Sequence, residues 1–361
     1  MHSAGTNLSF RLIFLSAMTL GMKKMRTFAA DFEEGMKERD LRIDVLKGVG
    51  IICVIWAHLR GYLDMEIYIF HMPLFFFLSG MFYRQKRDFV WTRFRSLIIP
   101  FALYSLFFAA LFWWQGGGWL KPLHRISWWF PSAIVGPSWF LIALFNISVV
   151  YYLLDLLVKD KRILLAITFA IGLTFYYWKV ELPLDLRQSF YALPFYSLGA
   201  FMKQKEWTKP TRNRWVLGGA ALAFAGTVVY CRVNNFRFDV LCSYLPANAA
   251  LFYGGALASI ILLLNVRYFS KPTHLNSLLA SFGRNSLAIM ALHMPYMYFL
   301  KRWILRQHYF ADNATNAIAT FYITFLVITI GSYLLALAIA SRRQIPWKAV
   351  GSKFHKRLVH Q

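Results

Sequence analysis

The chain has 361 residues, of which 58% are hydrophobic, 18% aromatic and only 16% charged, yet its formal net charge is +24. An average globular chain holds about 25% charged residues, so few charges of nearly one sign in so apolar a chain make a membrane composition. The apolar content excludes a disordered chain, and three cysteines exclude a disulfide scaffold.

In chain order, Leu12 to Met22 is apolar but too short to span, and the nearby cations Lys23, Lys24 and Arg26 follow it. That is the wrong polarity for a secretory signal. Residues 1–41 are therefore read as a cytoplasmic segment, with an interfacial helix and a later start at Met25 or Met36 both fitting. A bilayer core needs about 20 mostly apolar residues per helix. Ten stretches meet that need, near 43–60, 66–83, 95–115, 137–157, 163–179, 188–202, 215–231, 246–265, 285–301 and 316–340. Each is expected to be helical, because lipid offers no partner for a bare backbone amide. Continuously apolar runs of this length do not suit barrel strands of about ten alternating residues.

Basic residues alternate between the loops. One set carries Arg84, Lys86, Arg87, Arg93 and Arg95, then Lys159, Lys161 and Arg162. It continues with Lys203, Lys205, Lys209, Arg212 and Arg214, and then Arg267, Lys271 and Arg284. The opposite set is sparser: Arg60, Lys121, Arg125, Lys179, Arg187, Arg232, Arg237 and a few near Arg306. By the positive-inside rule the dense set is cytoplasmic. The expected fold is all-α: a polytopic membrane bundle of about ten helices with both termini cytoplasmic. It comprises a membrane domain over 42–341 and a basic tail over 342–361. Most of the excess charge is topological, and nucleic acid is not an expected partner.

Polar groups inside apolar spans are costly and point to function. In "LRIDVLKGVGIICVIWAHLRGYL" Asp44 and Lys47 share a face. His58 lies eleven residues beyond Lys47, about 20° off that face and roughly 16 Å along it. Singly, Lys47 reads as a snorkelling anchor and His58 as an interfacial histidine; on one stripe they make a site. The second span holds His71 before Pro73, where a kink is expected, at a depth similar to His58, so the two imidazoles suit proton transfer. Arg84 and Arg87 follow on one turn, spaced to grip phosphate oxygens. The late "GRNSLAIMALHMP" repeats the His-Met-Pro element at His293, with Asn285 and Ser286 capping the inner end of its span. Ser138 and Trp139 stand at the outer end of the fourth span, where Trp is a normal interface anchor. Scattered histidines without carboxylates make a poor metal site. Cys231 and Cys242 fall at the same face, with unpaired thiols as the default.

"RIDVLKGVGIICVIWAH" followed by "FHMPLFFFLSGMFYR" resembles the acyltransferase 3 family of membrane O-acyltransferases, in its fucose 4-O-acetylase-like and polysaccharide O-acetyltransferase branch. Lys47 and His58 match its basic-x10-His motif, with Lys where many members have Arg, and Arg84 and Arg87 match its Arg-x-x-Arg motif. The resemblance extends over about residues 40 to 340. It implies an acyl-CoA such as acetyl-CoA as donor, no metal, a glycan or lipid-linked saccharide as acceptor, and residence in a bacterial inner membrane. On the matched motifs, Lys47, Arg84 and Arg87 are read as cofactor contacts and His58 as catalytic; the residue layout adds His71 beside His58, and Asp44, Ser138, Trp139, Asn285 and His293 as supporting residues. A transporter or flippase of a small molecule or glycan precursor, with the same polar stripe lining a path, is the competing reading. A non-catalytic partner in glycan assembly is a third.

Overall fold

The computed structural model describes residues 41–59, 62–114, 138–203, 213–304 and 314–341. The expectations placed on residues 1–40, Arg60, Lys121, Arg125, Lys205, Lys209, Arg212, Arg306 and the tail lie outside them. Among the described residues the fold is all-helical, and an isolated bridge joins Asp239 to Tyr244.

The helices are α1 (Leu41–His58), α2 (Asp64–Met81), α3 (Phe89–Arg93) and α4 (Ile99–Trp114), with a π-turn over Phe94–Ile98 between the last two. There follow α5 (Trp139–Leu157), α6 (Lys161–Tyr177), α7 (Leu186–Lys203), α8 (Arg214–Val233) and α9 (Ala249–Leu264). The chain closes with α10 (His274–Arg284), α11 (Ser286–Ile304) and α12 (Ala314–Ser341). Every one of the ten apolar stretches contains a helix. Three are long and apolar enough to cross a membrane by length and composition: Trp139–Leu157, Arg214–Val233 and Phe321–Ile339.

The sequence reading missed α10, which it took for part of a loop. Its N-terminus is built locally: Thr273 accepts from the Asn276 backbone amide at 3.2 Å, and the Asn276 amide donates to the carbonyls of Tyr268 and Lys271 at 2.6 and 2.9 Å. It lies flat on α1 because glycine faces backbone in both directions. A Cβ at Gly48 would stand 1.9 Å from the Leu279 carbonyl oxygen, and one at Gly283 would stand 1.9 Å from that of Asp44. The same device joins α2 to α7, where Cβ atoms at Gly80 and Gly199 would meet the carbonyl oxygens of Tyr196 and Phe77 at 2.0 Å. Helix α2 continues through Pro73.

Two tiers follow from this packing. α1, α2, α5 and α7 form a tight centre with a core of Phe76, Phe77, Leu141, Tyr191 and Tyr196. α6, α8, α9 and α12 pack around it, and α8 and α12 leave large apolar residues such as Leu222, Val229, Ile330 and Leu334 exposed. Apolar faces turned outward over whole helices suit lipid rather than water. The central helices place the histidines at one end and Arg84 and Arg87 at the other.

Candidate active site

Three histidines converge at one end of the bundle. His58 and His71 line a pocket together with Val54 of α1, Tyr68, Met72 and Phe75 of α2, Trp139 and Phe140 of α5, Met290 of α11, and Asp239, Val240 and Leu241 of the loop after α8. The His293 ring approaches that of His58 with centroids 5.1 Å apart. His58 is half-buried, while His71 and His293 are buried.

Their protonation follows from helix geometry. Each Nδ1 sits on the carbonyl oxygen four residues earlier: His58 on Val54 at 2.7 Å, His71 on Ile67 at 2.9 Å and His293 on Ile289 at 3.2 Å. A carbonyl only accepts, so each Nδ1 carries the hydrogen and each neutral ring keeps a lone pair on Nε2. The helices thus supply the orientation that carboxylate partners supply elsewhere. The His293 Nε2 is buried without a hydrogen-bond partner.

The loop over 234–248 closes the pocket and is pinned from several sides. Tyr191 donates to the Val240 carbonyl, Gln188 donates to Leu241 O at 3.3 Å, and Tyr176 donates to Pro246 O. Arg232 grips both oxygens of Glu66 at 2.7 and 2.8 Å, and Arg237 reaches Asp64 at 3.3 Å while lying 4.5 Å above the Tyr68 ring. Asp239 is half-buried in the pocket wall, its carboxylate accepting from the Cys242 amide at 3.0 Å.

At the opposite end, Arg84 and Arg87 are exposed on an irregular segment, 83–86, that runs into a turn at 87–88. They follow the end of α2 on a loop. Lys47 lies half-buried with its ammonium 4.1 Å from the centre of the Phe82 ring. The exposed Lys203 donates to the Tyr83 carbonyl at 3.4 Å beside Arg84. Its pKa is lowered by partial desolvation and then by the Arg84 charge.

A family model described as an acyltransferase domain matches residues 40–337. The chain belongs to the acyltransferase 3 family. It is also similar to the nodulation protein NolL of Mesorhizobium japonicum, at 27% identity over 192 residues that make up 47% of this chain and 49% of that protein. The chain thus spans about half the length of the curated relative it matches. No solved structure matches it.

Several sequence assignments change in this acyltransferase 3 chain. Trp139 is buried, at 5% exposure, in the pocket wall, so it is no interface anchor; Ser138 beside it is buried too. Asp44 lies 3.9 Å from Arg284 of α10, which adds an arginine that the sequence had not assigned to this end of α1. Asn285 turns back to the Ser281 carbonyl at 2.8 Å and so closes α10, instead of capping α11. Cys231 and Cys242 are both free, as the sequence default has them. His293, read from the sequence as a supporting residue, stands against His58.

The sequence reading also passed over Asp239, Arg237, Tyr83 and Asp155. Asp155 had a usable signal, a lone carboxylate within the apolar run "YYLLDLLV". Asp239 had none, because a loop carboxylate is unremarkable until the loop folds over the pocket.

Proposed function

We propose that this chain moves an acetyl or related acyl group from cytoplasmic acyl-CoA to a hydroxyl of a cell-surface glycan or lipid-linked saccharide. The membrane domain would span 42–341, with both termini in the cytoplasm of a bacterium and the bundle in its inner membrane. The arginine end then faces the donor and the histidine end faces outward.

The observation that carries this reading is the free Nε2 of His58 in a pocket some 16 Å along one helix from Lys47. Lys47, Arg84 and Arg87 hold the CoA phosphates where their charge is least costly, and the pantetheine arm follows α1 toward His58. His58 Nε2 takes the proton of the acceptor hydroxyl as its oxygen attacks the thioester carbonyl. The tetrahedral adduct expels the CoA thiolate, which receives that proton, leaving an ester and free CoA thiol. His71, fixed in the same tautomer, faces the same pocket and orients the acceptor. Tyr68 and Trp139 offer aromatic walls to the acceptor, and Asp239 can accept from a second hydroxyl.

His58→Ala tests the reading. The expected loss in turnover is about 10²- to 10⁴-fold, the range for a general base. It is measured as surface-glycan O-acetyl content at equal membrane abundance. Normal acetylation at normal abundance would sink the assignment and favour a transporter or a non-catalytic partner.

A further inference from the structure

Arg84 and Arg87 stand on a short loop that lacks regular secondary structure, so something must hold them in place. Both flanks of that loop are clamped onto one stretch of α5. On the first flank, the Tyr83 hydroxyl donates to Asp155 Oδ2 at 2.8 Å, and the Tyr83 ring meets Tyr151 edge-on with centroids 4.8 Å apart. On the second flank, Phe89 stacks on Tyr152 at 4.9 Å and 17°. The Tyr83 carbonyl accepts from Lys203 of α7, and Lys161 at the start of α6 pairs with the other oxygen of Asp155. Tyr83 thereby ties the loop to α5, α6 and α7 at once.

The carboxylate at the centre of this arrangement is expensive. Asp155 is only 5% exposed, near the end of an apolar helix. Buried ion pairs seldom stabilise a fold more than apolar residues of the same size would, so stability alone does not account for an aspartate here. Directional hold on the neighbouring loop does. An aromatic residue without a hydroxyl could fill the same space, but it would leave the loop free to pivot on its ring.

We propose that Tyr83, held by Asp155, is the positioning residue that presents Arg84 and Arg87 to the phosphates of the acyl donor. The proposal rests on the donor reading given above. Neither Tyr83 nor Asp155 touches the ligand; both act through the two arginines.

The test measures binding by the full-length chain in detergent or nanodiscs, with two probes: acetyl-CoA, and S-acetylpantetheine, which lacks the phosphates. Tyr83→Phe keeps the ring and removes only the hydroxyl. It should weaken acetyl-CoA binding roughly five- to tenfold, the worth of one lost hydrogen bond, and leave S-acetylpantetheine binding unchanged. Asp155→Asn keeps an acceptor for the hydroxyl but gives up the pairing with Lys161, so its loss should be smaller and of the same selectivity. A purely structural role would weaken both probes alike, or neither, and either result in Tyr83→Phe overturns the proposal. Arg84→Ala with Arg87→Ala separates the two levels. If the double variant binds acetyl-CoA as well as wild type, the donor reading itself falls. If it binds weakly while Tyr83→Phe binds normally, only the positioning role falls.

Discussion

At the scale of single residues, the tautomers and the crowded cations carry the chemistry. Three imidazoles with Nδ1 tied to helix carbonyls each leave the Nε2 lone pair as the acceptor, an arrangement fixed by backbone geometry. Lys203 is the corresponding feature at the arginine end. Its pKa is lowered because its ammonium is partly desolvated and stands next to Arg84. A bound phosphate favours the charged form, so affinity is present below the Lys203 pKa and is lost as pH rises through it. Because that pKa lies below the ordinary lysine value, the loss begins earlier on the alkaline side than for a solvated lysine. Acetyl-CoA affinity measured across the alkaline range should therefore begin to decline at lower pH in wild type than in Lys203→Arg, whose guanidinium stays charged. An unchanged alkaline decline in Lys203→Arg would remove Lys203 from the site. The sequence could not single out this residue, since Lys203 looks like any other cation of a positive-inside loop until Tyr83 and Arg84 fold against it.

At the scale of elements, the long apolar helices were legible and the short ones that complete the site were not. Hydropathy identifies α1, α2, α5, α7 and their like because each buries or exposes a continuous apolar surface. The spacing of Lys47 and His58 within α1 is likewise visible, since it depends only on one helix. α10 escapes because its eleven residues mix Asn, Ser, His and Arg with leucines, and no local rule says that it will lie on α1. The partners of Asp44 and Tyr83 escape for the same reason: Arg284 and Asp155 come from distant helices. What seats α10 is the close approach at Gly48 and Gly283. Gly283→Ala places a methyl 1.9 Å from the Asp44 carbonyl oxygen, closer than any real contact, so α10 must shift and lift Arg284 from Asp44. The expected cost is about 1–3 kcal/mol, as for an overpacked core. Gly218→Ala in α8 meets nothing within 4 Å and should instead stabilise by up to about 1 kcal/mol through helix propensity. Thermal unfolding of the two purified variants in one detergent reads the opposite signs. Equal shifts would mean that the α1–α10 contact is looser than its geometry.

At the scale of the whole molecule, the proposed function requires that the two ends of the bundle face different compartments. The donor reading needs Arg84 and Arg87 in the cytoplasm and the 234–248 loop outside, and the asymmetry of basic residues argues for that orientation. The structure supplies a native reporter, because Cys242 is exposed in that loop while Cys231 is buried and Cys53 half-buried. Burial, followed by the charge of Asp239 and a hydrogen bond with it, raises the Cys242 pKa. Its thiolate is thus scarcer than that of an ordinary surface cysteine, so labelling should be slow near neutral pH and quicken as pH rises. In a Cys53→Ser, Cys231→Ser background, a membrane-impermeant maleimide applied to intact cells should modify Cys242. The exposed Lys86 sits beside Arg84 and Arg87, so Lys86→Cys in a chain without other cysteines should react only once the membrane is opened. The reverse pattern would place the histidine pocket in the cytoplasm with the arginines outside, where a cytoplasmic acyl-CoA could not reach them. Labelling of both sites from one side would deny that the bundle separates donor from acceptor. The transfer would then have to occur on one face of the membrane, and the length of α1 between Lys47 and His58 would no longer be the distance the acyl group must cross.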